Sequence, residues 1–399
     1  MFSRRAAWDL RPTEFARRVA ARRAAGLPLV DLSDSNPTRC DLAPSAALRA
    51  ALAEVARDPD VARYEPDACG DLAARRAIAA YHARRGIPVA AEQVVLTAGT
   101  SEGYAHLFRL LGDPGDVVHV PVPGYPLFEH LAALEGLAVE RYPLLAPRRG
   151  ARWRIDLDAL AATLGPRSRA LLVIDPHNPT GSFVDAEDWA SLRSIARERG
   201  LAIVADEVFA DYGADALAPP GALAGADAGP LHFVLSGASK VLALPQLKVA
   251  WIVVAGPVAA RDDALARLEF VADAFLSVSP ILARALPRLL ADRAAMQHAV
   301  RARVAGNRAL LAERLAGTKA APLPFEAGWS AIVRVPGTRD EEALATSLLE
   351  RGVLVQPGWF FDLDARDADG ARCAHLVVSL LLEPAVFARG VASLRDLLA

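Results

Sequence analysis

Short apolar runs alternate with helical patterns through the middle of this chain. The runs are rich in Val, Ile and Leu, and they cover residues 94–97, 117–120, 170–174, 202–205, 232–235 and 250–254. Strands that are apolar on both faces are typical of parallel sheets with helices packed on each side. The alternation therefore predicts an α/β fold with a mostly parallel central sheet and helices on both faces.

The pattern changes towards both ends of the chain. Residues 258–315 form a long helical stretch, and the strands after it are sparser and lead to a closing helix from Glu383. An amphipathic first helix is predicted over residues 4–25. We expect residues 1–45 to form a helix and an arm that join a small α+β domain. Residues 46–275 are expected to form a large ligand-binding domain, and residues 276–399 the C-terminal small domain.

Composition argues against several classes of protein. The formal net charge is −2 and the pI is about 6.5, so no global basic field favours nucleic acid or an anionic membrane. No apolar run reaches the roughly 18 residues that span a bilayer. Cys40, Cys69 and Cys373 have neither metal-ligand nor disulfide spacing. We expect a cytoplasmic protein that binds no nucleic acid, no membrane and no metal.

Small and polar residues follow the predicted strands where each one ends. The carboxyl ends of parallel strands share one edge of a sheet, and ligands bind at that edge. Residues 98–102 open a helix, whose free backbone N–H groups suit a phosphate. The later turns supply, in chain order, Tyr125, Asn178, Asp206, Ser236, Ser239 and Lys240. Each also fits an ordinary turn or packing role, but together they provide a phosphate cradle, a ring, an amide, a carboxylate and an amine.

Lysine is rare in this chain, with three Lys against 42 Arg. Two of the three, Lys240 and Lys248, lie eight residues apart. An amine can lose its proton and attack a carbonyl carbon, whereas a guanidinium cannot. Pyridoxal phosphate needs a lysine for its Schiff base and an acidic partner for its pyridine nitrogen. These groups predict a pyridoxal phosphate site, with Lys240 preferred because Lys248 lies at the start of the next strand.

From about Leu32 to the C-terminus the chain resembles the class I/II, fold type I aminotransferases that depend on pyridoxal phosphate. The motifs NPTG, ADEVFADY and SGASK carry the resemblance, with a basic residue eight positions after the lysine. It implies ping-pong transfer of an amino group from an amino acid to a 2-oxo acid. Lys240 would be the catalytic base, and Asp206 would pair with the pyridinium nitrogen.

The resemblance implies further cofactor contacts. Thr100, Ser101 and Lys248 would hold the phosphate, Asn178 would donate to the ring 3′-oxygen, and Tyr125 would stack on the ring. A looser match around RYEPDACG places Tyr64 at the phosphate of the neighbouring subunit. This implies a homodimer with shared active sites.

Two departures concern the cofactor. Phe209 stands where the family has a Tyr that donates to the 3′-oxygen, and its loss is expected to raise the pKa of the Schiff base. Gly237 replaces a family Ser, for which Ser236 or Ser239 is expected to substitute.

The third departure concerns the substrate. Val377 stands where the family has the Arg that binds the substrate α-carboxylate, a contact for which the bidentate guanidinium is well suited. Arg39 is the first candidate to replace it, because the N-terminal segment of the family lines the substrate pocket. Arg334 and Arg372 are weaker candidates.

Other functions stay open on the sequence alone. A pyridoxal phosphate-dependent lyase or synthase, for example a β-elimination enzyme, uses the same cofactor contacts, and the loss of the Arg at position 377 favours it. A non-catalytic binding protein of the same fold is less favoured, because the predicted lysine, carboxylate and amide are all present. A nicotinamide dehydrogenase is disfavoured, because GTSEG is not GxGxxG. Trp359, Phe360 and Phe361 either line an apolar substrate pocket or pack within the small domain.

Overall fold

Two unequal sheets organise the molecule. The computed structural model describes residues 2–147, 152–214, 221–337 and 340–398. Its strands are β1 (Val30–Asp31), β2 (Val94–Thr97), β3 (Val117–Val122), β4 (Ala138–Leu145), β5 (Arg154–Ile155), β6 (Ser168–Ile174), β7 (Ala202–Asp206), β8 (His232–Gly237), β9 (Ala250–Ala255), β10 (Ala321–Pro322), β11 (Ser330–Pro336), β12 (Val353–Leu354), β13 (Gln356–Pro357) and β14 (Cys373–Ser379). All six strands predicted from the apolar runs are confirmed.

Helices cover the sheets. They are α1 (Glu14–Ala24), α2 (Ser45–Val55), α3 (Leu72–Arg84), α4 (Thr100–Leu111), α5 (Leu127–Glu135), α6 (Leu157–Thr163), α7 (Ala186–Arg199), α8 (Ala238–Val241), α9 (Val258–Asp273), α10 (Pro280–Ala291), α11 (Arg293–Leu315), α12 (Glu341–Glu350) and α13 (Pro384–Leu398). The predicted helical stretch over residues 258–315 is therefore three consecutive helices. Among the described residues, no helix combines the length and apolarity needed to cross a membrane.

The large sheet has eight strands in the order β2-β9-β8-β7-β6-β3-β4-β5. Strands β8, β7, β6, β3 and β4 pair in parallel, while β9 is antiparallel to both of its neighbours. Strand β2 consequently runs in the same direction as β8. The carboxyl ends of β2, β3, β6, β7 and β8 therefore meet at one edge, which confirms the predicted mostly parallel sheet.

Apolar side chains cover both faces of this sheet. Successive residues of a strand point to opposite faces, and in β7 Ile203 belongs to one cluster with α3, α7 and α10, whereas Val204 belongs to another with α4, α5 and α9. Helix α10 lies beyond the predicted domain boundary at residue 276, yet it packs on α2 and α3. The next helix, α11, packs instead in a separate apolar cluster with β11 and β14 of the smaller sheet.

The smaller sheet is antiparallel, in the order β10-β11-β14-β13. The N-terminal arm attaches beside it, because Val30 of β1 pairs in parallel with Val353 of β12. The first helix is shorter than predicted. It begins at Glu14, after Pro12, and the Thr13 hydroxyl caps it by accepting the N–H of Ala16 at 3.2 Å. Residues 4–6 form a 3₁₀ turn, so the prediction of one helix over residues 4–25 was wrong in extent.

Candidate active site

Lys240 lies in the short helix α8, directly after β8 at the edge where the parallel strands end. Its Nζ lies 4.8 Å from the ring of Trp329 and 5.3 Å from the ring of Phe209. Burial lowers the pKa of Lys240 to about 8, and the neighbouring Asp206 carboxylate opposes the shift. A larger fraction of the amine is therefore neutral near pH 7, as a nucleophile or a base requires.

Two side chains fix the backbone of α8. The hydroxyl of Tyr212 donates to the carbonyl oxygen of Lys240 at 2.6 Å. The amide of Gln297, on α11, donates to the carbonyl oxygen of Val241 at 3.0 Å and to Asp211 Oδ2 at 2.7 Å. These contacts orient the helix that carries the amine, and sequence reasoning missed both residues.

Asp206 ends β7, and its carboxylate is held by two donors. The hydroxyl of Tyr104, on α4, donates to Oδ2 at 3.0 Å, and the N–H of Val208 donates to Oδ1 at 3.1 Å. Burial raises the pKa of Asp206 to about 6, against the opposing effects of these two donors and of Lys240. The carboxylate is thus ionised at neutral pH and lies near the amine, as a partner for a protonated ring nitrogen must.

The first turn of α4 forms a positively charged corner with Lys248. Thr100 and Ser101 open this helix, and a Cβ added at Gly99 would lie 3.2 Å from Lys248 Nζ. The free N–H groups of a helix start and an ammonium group together suit a phosphate. Ser101 and Lys248 are exposed, so this corner is open to a ligand.

The serines near α8 differ in their surroundings. Ser236 is 1% exposed, and its hydroxyl has no hydrogen-bond partner in the described part of the chain. Ser239 is partly buried. Gly237 lies against β9, since a Cβ there would lie 2.9 Å from the Cβ of Ala250. A Ser at position 237 would need more room than this chain provides.

The NPTG turn follows β6 and contacts the small domain. Gly181 has φ +69, and a Cβ there would lie 2.5 Å from the carbonyl oxygen of Ala327. The carbonyl oxygen of Gly181 accepts N–H groups from Glu326 and Ala327 at 3.0 and 2.8 Å. Asn178 is partly exposed in the same turn, and within the described residues its side-chain amide makes no hydrogen bond. The amide is therefore free to bind a ligand.

Tyr125 follows β3 and is 45% exposed. Its loop is tied to the small domain, because the N–H of Gly124 donates to the carbonyl oxygen of Phe361 at 2.9 Å. A pocket of about 310 Å³ lies beside it, lined partly by Tyr125, Trp359 and Phe360. Phe361 is 3% exposed and packs in the core instead. Phe361 thus packs in the core, whereas a substrate-binding role for Trp359 and Phe360 stays a prediction.

Tyr64 lines a surface pocket whose described lining includes none of the other predicted cofactor residues. Tyr64 is 75% exposed, and the pocket, of about 260 Å³, is also lined by Asp67 and Arg284. Nearby exposed apolar side chains include Leu276, in the same pocket, and Phe275.

The predicted substrate contact is already occupied by an ion pair. Nε and Nη2 of Arg39 lie 2.7 and 2.9 Å from Oδ2 and Oδ1 of Asp34, and the Arg39 side chain is 67% exposed. Val377 is 1% exposed and packs in an apolar cluster with Trp153 and Ile332. To bind a substrate carboxylate, Arg39 has to leave Asp34.

The arrangement fits pyridoxal phosphate. The chain offers an amine with a lowered pKa, an ionised carboxylate next to it, a free amide, and a phosphate corner whose glycine leaves room for the ammonium group. Comparison with known proteins agrees with this. The sequence model of the family described as "Aminotransferase class I and II" matches residues 28–370. The chain belongs to the class I and II aminotransferases.

Individual class I and II aminotransferases show the extent of the similarity. The chain is 28% identical over 276 residues to nicotianamine aminotransferase 1 of Oryza sativa subsp. japonica. This alignment covers 66% of this chain and 53% of that protein. It is 30% identical over 246 residues to an S-alkyl-thiohydroximate lyase of Arabidopsis thaliana, covering 60% and 52%. The chain thus spans about half the length of these curated relatives.

A solved structure supports the fold over the full length. The alanine aminotransferase from Pyrococcus furiosus superposes with a TM-score of 0.87 over 99% of both chains, at 19% sequence identity. At this identity the similarity concerns the fold, and it agrees with the predicted fold type I architecture of a large domain and a smaller one.

Proposed function

We propose that the protein is an aminotransferase that uses pyridoxal phosphate to move an amino group from an amino acid to a 2-oxo acid. The observation that carries the proposal is the placement of Lys240 and Asp206 at the same edge of the sheet, where the parallel strands β7 and β8 end. There the charge of the Asp206 carboxylate acts on the Lys240 amine, whose pKa burial lowers to about 8. When bound, pyridoxal phosphate supplies an aldehyde that condenses with amines and a ring that withdraws electrons.

The roles of the residues follow from their positions. Lys240 would hold the cofactor through its amine, and its free amine would take the proton from Cα of the donor. Asp206 would place a negative charge against the ring nitrogen and keep it protonated. Asn178 would donate to the ring oxygen, and Tyr125 would pack on the ring. Thr100, Ser101, Ser236, Ser239 and Lys248 are proposed to serve the phosphate.

Phe209 gives the proposed site a different balance of hydrogen bonds. It packs edge-on against Trp329, with ring centroids 5.3 Å apart, and offers no hydroxyl to the ring oxygen. Asn178 then stays as the proposed donor to that oxygen. We expect the protonated form of the bound cofactor to persist to higher pH than it would with a Tyr at this position.

A single-turnover experiment tests the proposed reaction. The purified holoprotein is mixed with amino acids one at a time, in the absence of any 2-oxo acid. An aminotransferase loses its visible cofactor absorbance and releases about one 2-oxo acid per subunit, and an added 2-oxo acid restores the absorbance. Catalytic release of ammonia without recovery of the absorbance contradicts the proposal.

A lyase is the second candidate, because Val377 replaces the expected Arg and one relative is named as a lyase. The two functions differ in the fate of the nitrogen. An amino acid that carries a leaving group on Cβ gives stoichiometric amino transfer with an aminotransferase, whereas a β-elimination enzyme gives continuous production of ammonia and a 2-oxo acid. Assay of ammonia with such a substrate separates them.

A homodimer with shared sites is proposed from the surface around Tyr64. This residue is 75% exposed, and Leu276, in the same pocket, and the adjoining Phe275 are 36% and 50% exposed. Neighbouring exposed apolar side chains of this kind mark interaction sites. Mixing a Lys240→Ala chain with a Tyr64→Ala chain tests the sharing. Random pairing puts one intact site in each mixed dimer, so activity recovers to about a quarter of the wild-type value. No recovery contradicts shared sites.

A further inference from the structure

Two aromatic rings flank the reactive amine. Lys240 Nζ lies over the indole ring of Trp329, 4.8 Å from the centroid, and over the ring of Phe209 at 5.3 Å. Both distances fall within the roughly 6 Å over which a ring face attracts a cation. Trp329 and Phe209 are 1% and 8% exposed, so both rings belong to the protein interior.

These rings are fixed in position relative to the amine. Trp329 packs edge-on against Phe209 and Tyr212, with ring centroids 5.3 and 5.0 Å away. The hydroxyl of Tyr212 donates to the carbonyl oxygen of Lys240 itself. The carbonyl oxygen of Trp329 accepts the N–H of Leu380 at 2.7 Å. The backbone of the lysine and the rings beside its amine are therefore parts of one packed cluster.

The charge that acts on the amine comes from one carboxylate. Among the described groups, Asp206 at the end of β7 acts on Lys240 through its charge. The oxygens of Asp206 accept hydrogen bonds from Tyr104 and Val208. Lys248 lies in the phosphate corner at the start of α4. The two ring faces are thus an influence on the amine that is distinct from the carboxylate.

We propose that the faces of Trp329 and Phe209 bind the Lys240 ammonium ion and favour protonation of the reactive amine. The face of an aromatic ring carries negative charge density, so it attracts an ammonium ion more strongly than a neutral amine. The rings therefore act in the same direction as Asp206 and against burial, which lowers the pKa of Lys240. Removal of a ring face should lower that pKa further.

The consequence for catalysis rests on the proposed aminotransferase function. In that reaction Lys240 takes a proton from the amino donor and must later release it. A carboxylate in contact with the ammonium group would accept that proton, whereas a ring face attracts the charge and accepts no proton. Trp329 and Phe209 would thus hold the protonated amine in place and leave its proton available for transfer.

Titration of Lys240 in the apoprotein tests the proposal without cofactor or turnover. Acetic anhydride reacts with neutral amines, so trace acetylation at a series of pH values gives a midpoint for each lysine. Lys240 is partly buried, which leaves access for a small reagent. The chain has three lysines, and mass spectrometry of the digest separates them, with Lys319 as the internal reference.

Loss of a ring face is expected to lower the midpoint of Lys240. Trp329→Leu should lower it by about one pH unit, and Phe209→Leu by less, because an indole is the strongest ring face. Phe209→Tyr keeps a ring face and should leave the midpoint of the apoprotein close to the wild-type value. An unchanged or higher midpoint in Trp329→Leu overturns the proposal.

Trp153→Leu is the matched control for loss of a buried indole. Trp153 is 5% exposed and packs in a separate apolar cluster with Val377. Its replacement should leave the midpoint of Lys240 unchanged. An equal fall in Trp153→Leu and Trp329→Leu also overturns the proposal, because it assigns the shift to looser packing.

Fluorinated tryptophan changes the charge of the ring without a change of residue. Fluorine withdraws electron density from the ring face and alters its size little, so increasing numbers of fluorine atoms should lower the midpoint of Lys240 stepwise. All six Trp are replaced together, so the same series in Trp329→Phe is the control, in which the midpoint should not move. No stepwise fall in the wild type, or an equal fall in Trp329→Phe, overturns the proposal.

These titrations are independent of the proposed reaction. They follow the free amine of the apoprotein, and no amino group is transferred. Failure of the ring proposal therefore differs from failure of the proposed function, which appears in the single-turnover experiment.

Discussion

The hydrogen bond from Tyr104 to Asp206 should set the pH range in which the cofactor binds well. The hydroxyl donates to Oδ2 at 3.0 Å and so favours the ionised carboxylate, whose pKa burial raises to about 6. Tyr104→Phe removes this donor and leaves the N–H of Val208. The ionised form loses support, so the pKa of Asp206 rises.

The size of the effect follows from the strength of such a bond. A hydrogen bond to a charged group is worth about 1.5–3 kcal/mol, and one pH unit corresponds to about 1.4 kcal/mol. The midpoint of Asp206 in the apoprotein should therefore rise by about one to two pH units. Binding of pyridoxal phosphate needs the ionised carboxylate at the ring nitrogen, so affinity falls as the pH is lowered and Asp206 becomes protonated. In Tyr104→Phe this fall should begin at a correspondingly higher pH than in the wild type.

The assay is a titration of apoprotein with pyridoxal phosphate at a series of pH values, followed by visible absorbance. Tyr142→Phe is the control, because it also removes a buried hydroxyl, one that donates to the carbonyl oxygen of Leu172 at 2.6 Å. Identical pH midpoints in Tyr104→Phe and the wild type would refute the reasoning, as would an equal shift in Tyr142→Phe.

Three further changes have expected outcomes. Phe209→Tyr supplies a donor to the ring oxygen and should lower the pH midpoint of the holoprotein's visible absorbance; an unchanged or higher midpoint contradicts this. Tyr212→Phe frees the carbonyl of the reactive lysine and should lower kcat between about two- and tenfold, with no change in kcat counting against it. Gly181→Ala should destabilise the chain more than Gly200→Ala in chemical denaturation. Both have similar positive φ values, which cost Ala about 1–2 kcal/mol, but only the Cβ at position 181 clashes; equal losses contradict this.

The sequence predicted the central strands because they are apolar on both faces. It missed β4, Ala138–Leu145, which lies near the edge of the sheet and has half of its residues exposed. Charged residues such as Glu140 and Arg141 break its apolar pattern. Its place is set by parallel pairing with β3, which is a tertiary contact and leaves no local pattern in the sequence.

The same limit applies to the site. The sequence pointed to Asp206 and Lys240 because each lies where a predicted strand ends. Asp206 ends β7, and Lys240 lies just after β8. Tyr104 and Trp329 meet these two residues only when α4 and β11 dock, and Tyr212, which follows β7, meets Lys240 only when β7 and β8 pair. A Tyr or Trp in an apolar segment has the pattern of any core residue, so the sequence alone did not distinguish them.

The central claim is that Lys240 is the amine that holds the cofactor. The holoprotein is treated with borohydride to make the bond between cofactor and lysine permanent, then digested, and the labelled peptide is identified by mass spectrometry. The chain has only three lysines, so the result is unambiguous. The account predicts the label on Lys240. A label on Lys248 or Lys319, or none on a protein that binds the cofactor stoichiometrically, contradicts it.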